Sequence, residues 1–291
     1  MTKVIKSHGA LVDYDSVKVR NSVERTGANK HVVEHVMQEV EQNVRDGMTT
    51  HELYKMVFDE LKKESLCYAC RYNLRTAILK LGPAGFKFEK YVAAILRAYK
   101  YDAKVPDDEI EGSCVSHEVD VVAEKNGRTM FIEAKFRNDY KDSVNLKDTM
   151  ATWSRFLDLV DGGAVGKCQH FDEAWIVTNA RFSDRAKKFG VCKGIHMIGW
   201  SFPEERSFQG MVDYTTLYPV TVLGDLTTEE LESFAQNRMM LCREISEQDP
   251  EDLAERIGLS TERAYDIVEM CSLVIEGDHD SKLHPTDEEN K

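Results

Sequence analysis

Residues His117–Arg137 read HEVDVVAEKNGRTMFIEAKFR, and the rest of the chain can be placed around them. Asn126-Gly127 lies between two apolar-rich runs. That dipeptide is the strongest short-range signal for a two-residue type I′ hairpin, whose two central residues both need positive φ. A turn closed there sets Lys125 opposite Arg128, Val121 opposite Ile132 and Asp120 opposite Glu133. Strand side chains alternate between faces. Val119, Val121, Ala123, Met130, Ile132, Ala134 and Phe136 then share an apolar core face, and Glu118, Asp120, Glu133 and Lys135 share the other.

Like charges directly opposite one another on a sheet are unfavourable. An Asp-Glu pair in this geometry needs a nearby cation or a shifted pKa. Carboxylate oxygens are the donors that Mg²⁺ and Mn²⁺ take. Lys135, two residues past Glu133, puts a positive charge where a developing anion could be stabilised or a water oriented. The hairpin by itself is equally compatible with a half-buried ribbon whose polar face is simply solvated.

The order Glu89 on a helix, then Asp120, then Glu133-Ala134-Lys135 resembles the PD-(D/E)xK nuclease superfamily, and more closely the Mrr-type restriction endonuclease domain. Gly85-Phe-Lys-Phe-Glu-Lys-Tyr-Val is similar to that family's opening helix. Trp175-Ile-Val-Thr-Asn-Ala-Arg-Phe-Ser is similar to its later strand-to-helix turn, and Gly194-Ile-His-Met-Ile-Gly-Trp to its last strand. One departure is Val119, where such nucleases often have Pro or Gly before the Asp. The resemblance spans residues 83–222. It implies an α/β/α sandwich with a mixed sheet, a DNA substrate, and Asp120, Glu133 and Glu89 as ligands of Mg²⁺ or Mn²⁺. Lys135 completes the catalytic set.

Composition bounds the rest. With 291 residues the chain suits two or three domains. No run approaches the length of a membrane span, and MTKVIKSHGALVDYD lacks an apolar signal region. Seven scattered cysteines fit a reduced, cytoplasmic protein without a disulfide framework. Cys67-Tyr-Ala-Cys70 is a lone CxxC, read as core thiols on a helix, because a zinc site needs a second pair. The net charge of −13 argues against a DNA binder at first sight. Its distribution answers the objection. Residues 1–82 hold 13 basic and 11 acidic residues, residues 83–222 hold 19 and 21, and residues 223–291 hold 6 and 19. Basic residues gather at Lys87, Lys90, Arg97, Lys100 and Lys104, and at Arg181, Arg185, Lys187, Lys188 and Lys193. Each group is a phosphate-contacting surface or a solvated helix face.

Before residue 83 the pattern predicts a hairpin and four helices. Val4-Ile5-Lys6 and Ala10-Leu11-Val12 flank Ser7-His8-Gly9, and Asp15 suits a helix N-cap. Val33, Val36, Val40 and Val44 recur at helical spacing. Thr49-Thr-His-Glu52 forms a capping box ahead of Leu53, Val57 and Leu61. A fourth helix runs through Arg71, Leu74, Ile78 and Leu81 to Gly82-Pro83. This order, with Val4, Lys6, Gly9, Tyr14, Asp15, Lys18, Val19 and Thr50, resembles the ATP-cone, the regulatory module at the N-terminus of ribonucleotide reductases. The resemblance implies ATP or dATP as regulatory ligand, with Lys6 and Lys18 on its phosphates. An ammonium is a compact phosphate partner, and a helix N-terminus favours anions. Ser7 departs from the family's usual Arg and removes a bidentate contact. The same pattern also suits a plain helical domain with surface lysines.

Further on, Phe88, Val92, Ile95 and Tyr99 make the buried stripe of a helix over 83–102, and Pro106–Ser113 is an acidic loop. A long helix from Asn145 to Asp161 puts Leu146, Met150, Trp153, Leu157 and Val160 on one face, against the sheet or a second copy, and Gly162-Gly163 stops it. Ala174–Val177 and Ile195–Ile198 are buried strands joined by a helix over Ser183–Phe189. After residue 222, Leu226-Thr-Thr-Glu-Glu opens a capped helix. Pro250 onward reads helix, turn, helix, and its acidic flanks favour a packing or partner-binding role over reading DNA. The tail from Glu276 is polar and expected to be disordered.

The expectation is an α/β protein in three parts. Residues 1–82 form an ATP-cone, residues 83–222 a nuclease domain, and residues 223–291 a small acidic helical domain. Its activity would be metal-dependent DNA cleavage set by a bound nucleotide, with defence against foreign DNA as the setting by analogy only. A homo-oligomer, dimer or tetramer, is expected, because cutting both strands is simplest with two active sites. The alternatives are a non-catalytic nucleotide-sensing regulator or scaffold that binds nucleic acid, and a ribonuclease.

Overall fold

The computed structural model describes residues 2–6, 9–82, 87–139 and 141–276. Pro83 to Phe86, and the tail beyond Glu276, lie outside the described residues. The chain packs as two compact units. Among the described residues, one comprises those up to Ala77 together with 218–276, and the other is Ile78–Leu217.

The first unit opens with Lys3–Ile5 (β1) antiparallel to Leu11–Asp13 (β2), Val4 opposite Val12. Ser16–Glu24 (α1) follows, with the Asp15 carboxylate accepting from the Lys18 N–H as its cap. Lys30–Asn43 (α2) buries Val33, Val36 and Val40. Met48–Thr49 (β3) adds a parallel strand beside β1 that the sequence pattern does not show, being only two residues long. Thr50–Glu64 (α3) carries the Thr49/Glu52 capping box and buries Leu53, Val57 and Leu61. Leu66–Leu81 (α4) completes the hairpin and four helices.

In the second unit, Phe88–Ala98 (α5) leads into Asp102–Lys104 (β4). Ile110–Glu111 (β5), inside the expected acidic loop, pairs with Ser116–His117 (β6) beyond it. Val121–Lys125 (β7) and Arg128–Lys135 (β8) form the hairpin, with Val121 opposite Ile132 and Lys125 opposite Arg128. Asn126 and Gly127 have φ of 54° and 74°, as a type I′ turn requires. After Ser143–Val144 (β9) comes Leu146–Ala164 (α6). Glu173–Thr178 (β10), Arg181–Phe182 (β11), Asp184–Lys193 (α7), His196–Ile198 (β12) and Phe208–Thr215 (α8) complete it. The main sheet has the order β12-β10-β8-β7-β4. It is mixed: β8, β10 and β12 run parallel, while β7 is antiparallel to β8 and β4.

Both faces of this sheet are covered. Phe136, on the face of Ile132, packs against Phe88 of α5 with tilted rings whose centres are 5.4 Å apart. On the other face Val122, Phe131, Ala174 and Ile176 pack with Phe156 and Leu159 of α6. The face expected to be polar is therefore largely core. A central strand of a sheet with helices on both sides is apolar in both directions. Val119 also changes sides. The chain leaves strand geometry at Glu118–Asp120, and Val119 joins the α6 cluster.

Two readings of α6 are corrected. Its buried residues are Thr149, Thr152, Phe156, Leu159 and Gly162, while Met150 and Leu157 are exposed. The buried face is rotated by about one residue, near 100°. Gly162-Gly163 does not stop the helix, which runs to Ala164 and is closed by Gly166 at φ 76°. Gly162 is instead a close-approach residue, since a Cβ there would lie 2.9 Å from the Gly112 backbone carbon.

From Tyr218 onward the chain returns to the first unit. Thr228–Gln236 (α9) has the expected Thr cap, at Thr227, in a capping box with Glu230. Cys242–Ser246 (α10), Pro250–Ile257 (α11) and Thr261–Glu276 (α12) follow, with Gly258 at the turn of the helix-turn-helix. These residues grip α4: the Thr221 hydroxyl donates to the Ala77 carbonyl (2.8 Å) and Asn73 donates to the Val222 carbonyl (3.2 Å). Cys67, Cys70, Cys242 and Cys271 are all buried in this unit, none of them in a disulfide. Among the described residues no helix is long and apolar enough to cross a membrane.

Candidate active site

Asp120 sits one residue before β7, where the strand register would place it across from Glu133. Its Oδ2 accepts the Ala134 N–H at 2.7 Å, which fixes the carboxylate against β8. Burial and, after it, the negative charge of Glu133 push the Asp120 carboxyl from 3.8 up to about 6, against the opposing pull of Ala134, Lys135 and Arg155. Glu133 is 2% exposed. Its carboxylate is ion-paired on one oxygen with Lys135 and on the other with Arg155. Asp120, Glu133 and Lys135 thus come together, on the α6 side of the sheet.

Arg155 is the member that sequence reasoning missed. It lies on α6 over the Phe131 ring, 5.6 Å from its centre. The signal that would find it is the Thr149, Thr152, Phe156, Leu159 repeat. That repeat turns Arg155 toward the sheet, whereas the apolar spacing of Met150 and Leu157 turns it away. The edge of the site is tied down nearby. Asn179 accepts from the Arg137 N–H (2.8 Å) and donates to its carbonyl (2.9 Å), and the Arg137 guanidinium reaches Asp148 of α6 at 2.6 Å.

Glu89 stands in the first turn of α5, and its ion pair is with Lys87, at 3.7 Å. Among the described residues no three His, Cys, Asp or Glu side chains converge as a metal cluster. The pair itself fits a divalent cation. Two oxygen donors lie close enough for one to suppress the ionisation of the other, and a hard cation relieves that repulsion.

In the first unit, Val4 is a core residue. Gly9 has φ 84° and its N–H donates to the Lys6 carbonyl, closing the loop after β1. Lys6 follows β1 directly, and Thr50 is the first residue of α3, just after Thr49, the partner of Ile5. Lys18 reaches the Asp15 carboxylate at 2.9 Å, which holds that carboxyl below its ordinary value. Ser7 lies outside the described residues.

Comparison with known proteins matches three segments of the chain. Residues 2–74 match the ATP cone domain, residues 83–199 the family described as restriction endonuclease, and residues 218–275 the AF1548-like C-terminal family. The fold and these matches define a restriction-endonuclease-like protein with an N-terminal ATP cone. An uncharacterized protein of Archaeoglobus fulgidus is 35% identical over 184 residues, covering 63% of this chain and 99% of the relative. The chain belongs to the family of that archaeal protein. A crystal structure of a protein of unknown function, AF1548, is similar with a TM-score of 0.53 and 35% identity, over 65% of this chain and 97% of that one. The matched domains suggest a nuclease with nucleotide regulation. Domains of these two kinds generally use divalent metals and bind nucleotides, respectively.

Proposed function

We propose that this protein is a metal-dependent DNA endonuclease whose activity is set by ATP or dATP on the N-terminal cone. The observation that carries the reading is the pairing of half-buried Asp120 with buried Glu133, with Lys135 on the same strand as Glu133. A structural hairpin gains nothing from two acids that repel one another out of full contact with water. Asp120 and Glu133 would hold Mg²⁺ or Mn²⁺, and Glu89, whose ion pair is with Lys87, would orient a water of the shell. When bound, the metal supplies an activated water and neutralises phosphate charge. Lys135 positions the attacking water or stabilises the charge that grows on the phosphorane. Arg155 holds Glu133 in place and balances its charge in metal-free protein. Lys6 and Lys18 take the phosphates of the effector nucleotide. Two copies act together, one per strand of the duplex.

The test is plasmid DNA incubated with the protein, with and without Mg²⁺ or Mn²⁺, ATP and dATP, beside Asp120→Asn and a single-stranded RNA. Nicked or linear plasmid is expected only with metal and only from wild type. Cleavage in EDTA or by Asp120→Asn would overturn the assignment. Cutting of the RNA alone would make the protein a ribonuclease.

A further inference from the structure

We propose that a pocket at the carboxyl ends of β8, β10 and β12 binds a phosphate of the nucleic-acid strand; this rests on the nuclease reading above. The cavity is about 470 Å³, in the size range of small-ligand sites. It is built from the segments that follow three neighbouring parallel strands: Lys141 after β8, Arg181 and Lys187 after β10, and Phe202 after β12. In open α/β sheets ligands bind outside the carboxyl ends of the parallel strands. Lys135 is the last residue of β8, so the pocket and the candidate active site share one edge of the sheet.

The lining has the chemistry of a phosphodiester site. Three cations, Lys141, Arg181 and Lys187, face one acid, Asp184. Arg181 is set by the β9–β11 pairing with Ser143, and Lys187 stands 5.0 Å from the centre of the Phe202 ring. A guanidinium takes phosphate oxygens two at a time, and an ammonium adds a point charge. The N-terminus of α7, capped by Ser183, adds its partial positive charge at the same place. A strand whose scissile phosphate lay at Asp120 and Glu133 would continue along this edge.

The probe is a fluorescein-labelled duplex oligonucleotide, read by anisotropy in EDTA so that no cutting intervenes. It is made with a 5′-phosphate and with a 5′-hydroxyl. The variants are Arg181→Ala/Lys187→Ala in the pocket and Arg185→Ala/Lys188→Ala on the same helix outside it, each checked by thermal melt. Arg181→Gln/Lys187→Gln replaces the first if that fails to fold. The pocket variant should bind roughly tenfold or more weakly. Its plot of log affinity against log salt should be shallower by about two units, as expected for two lost phosphate contacts. The outside variant should lose less in both. A loss confined to the 5′-phosphate probe assigns the pocket to a strand end, and an equal loss on both assigns it to an internal phosphate. Equal losses in the two variants, no loss in the pocket variant, or no binding by wild type would overturn the proposal. Wild type that binds in this way but never cuts plasmid with Mg²⁺ would remove the nuclease reading and leave the pocket standing.

Discussion

Asp120 is half-buried beside Glu133, and its carboxyl is raised from 3.8 to about 6 by burial and by that neighbour. The folded protein therefore keeps a proton that the unfolded chain has released. For an acid shifted upward, stability falls as pH climbs from about 4 to about 6 and stays reduced above that. The cost is at most about 3 kcal/mol. Asn at this position keeps a carbonyl to accept the Ala134 N–H and never ionises. In EDTA, Asp120→Asn should match wild type near pH 4 and exceed it above pH 6. Thermal melts across that range decide the matter, since a difference independent of pH would remove the coupling to Glu133. The same variant should lose the extra stability that millimolar Mg²⁺ gives wild type by binding the native state. Arg155 is the counterpart. Arg155→Ala leaves Glu133 buried with Lys135 as its only cation from the pair now seen, and should destabilise the metal-free protein by about 2–4 kcal/mol in denaturant titration. A loss below about 0.5 kcal/mol would mean that the pair is worth no more than a surface ion pair.

The Asn126-Gly127 hairpin, and with it the acidic pair and Lys135, was legible because the turn and the period-two alternation are local. Arg155 was not, because it depends on which side of α6 faces the sheet. Met150 and Leu157 are large and apolar, yet they are exposed, and two threonines take the buried face instead. Pattern reading weights large apolar residues. Here the face is chosen by fit: Thr149 and Thr152 turn their hydroxyls back to the carbonyls of Asn145 and Asp148 on their own helix, so they are buried without an unpaired polar group. The second determinant is Gly162, whose missing Cβ lets α6 close on Gly112. An added methyl would lie about 3 Å from the Gly112 and Ser113 backbone, which has no side chain to swing aside. Gly→Ala within a helix gains up to about 1 kcal/mol in propensity, whereas overpacking costs about 1–3 kcal/mol. The clash wins, so Gly162→Ala should lower the melting temperature. A rise would show that α6 shifts freely, and that Arg155 is not held by this contact.

The charge imbalance of the whole chain has a definite location. Acidic residues outnumber basic ones by 13 beyond residue 222, and the candidate active site lies in a nearly neutral segment. Residues 218–276 belong with the first unit, packed on α4 through Thr221, Asn73 and the Cys67–Val274 contact. Composition shows where this segment begins to differ but not what it packs on, because its contacts join residues more than a hundred positions apart. This placement argues for a packing role for the acidic helices. Regulation by nucleotide, as proposed, would then begin in the same unit, in the loop and helix start around Lys6 and Lys18. Lys18 is largely exposed and pairs with Asp15 across one helical turn, a contact of small energy that an incoming phosphate can replace. The Lys6→Ala/Lys18→Ala protein should fold with an unchanged melting temperature, because neither side chain is in the core. Titration calorimetry with ATP and with dATP should show binding by wild type and its loss in the variant. The same variant should keep metal-dependent plasmid cutting at a level that no longer responds to nucleotide. Light scattering should show a wild-type assembly that nucleotide changes and a variant assembly that it leaves alone. Undiminished nucleotide affinity in the variant would move the effector site away from these two lysines. Cutting that still follows nucleotide after affinity is lost would place the regulatory site outside the cone.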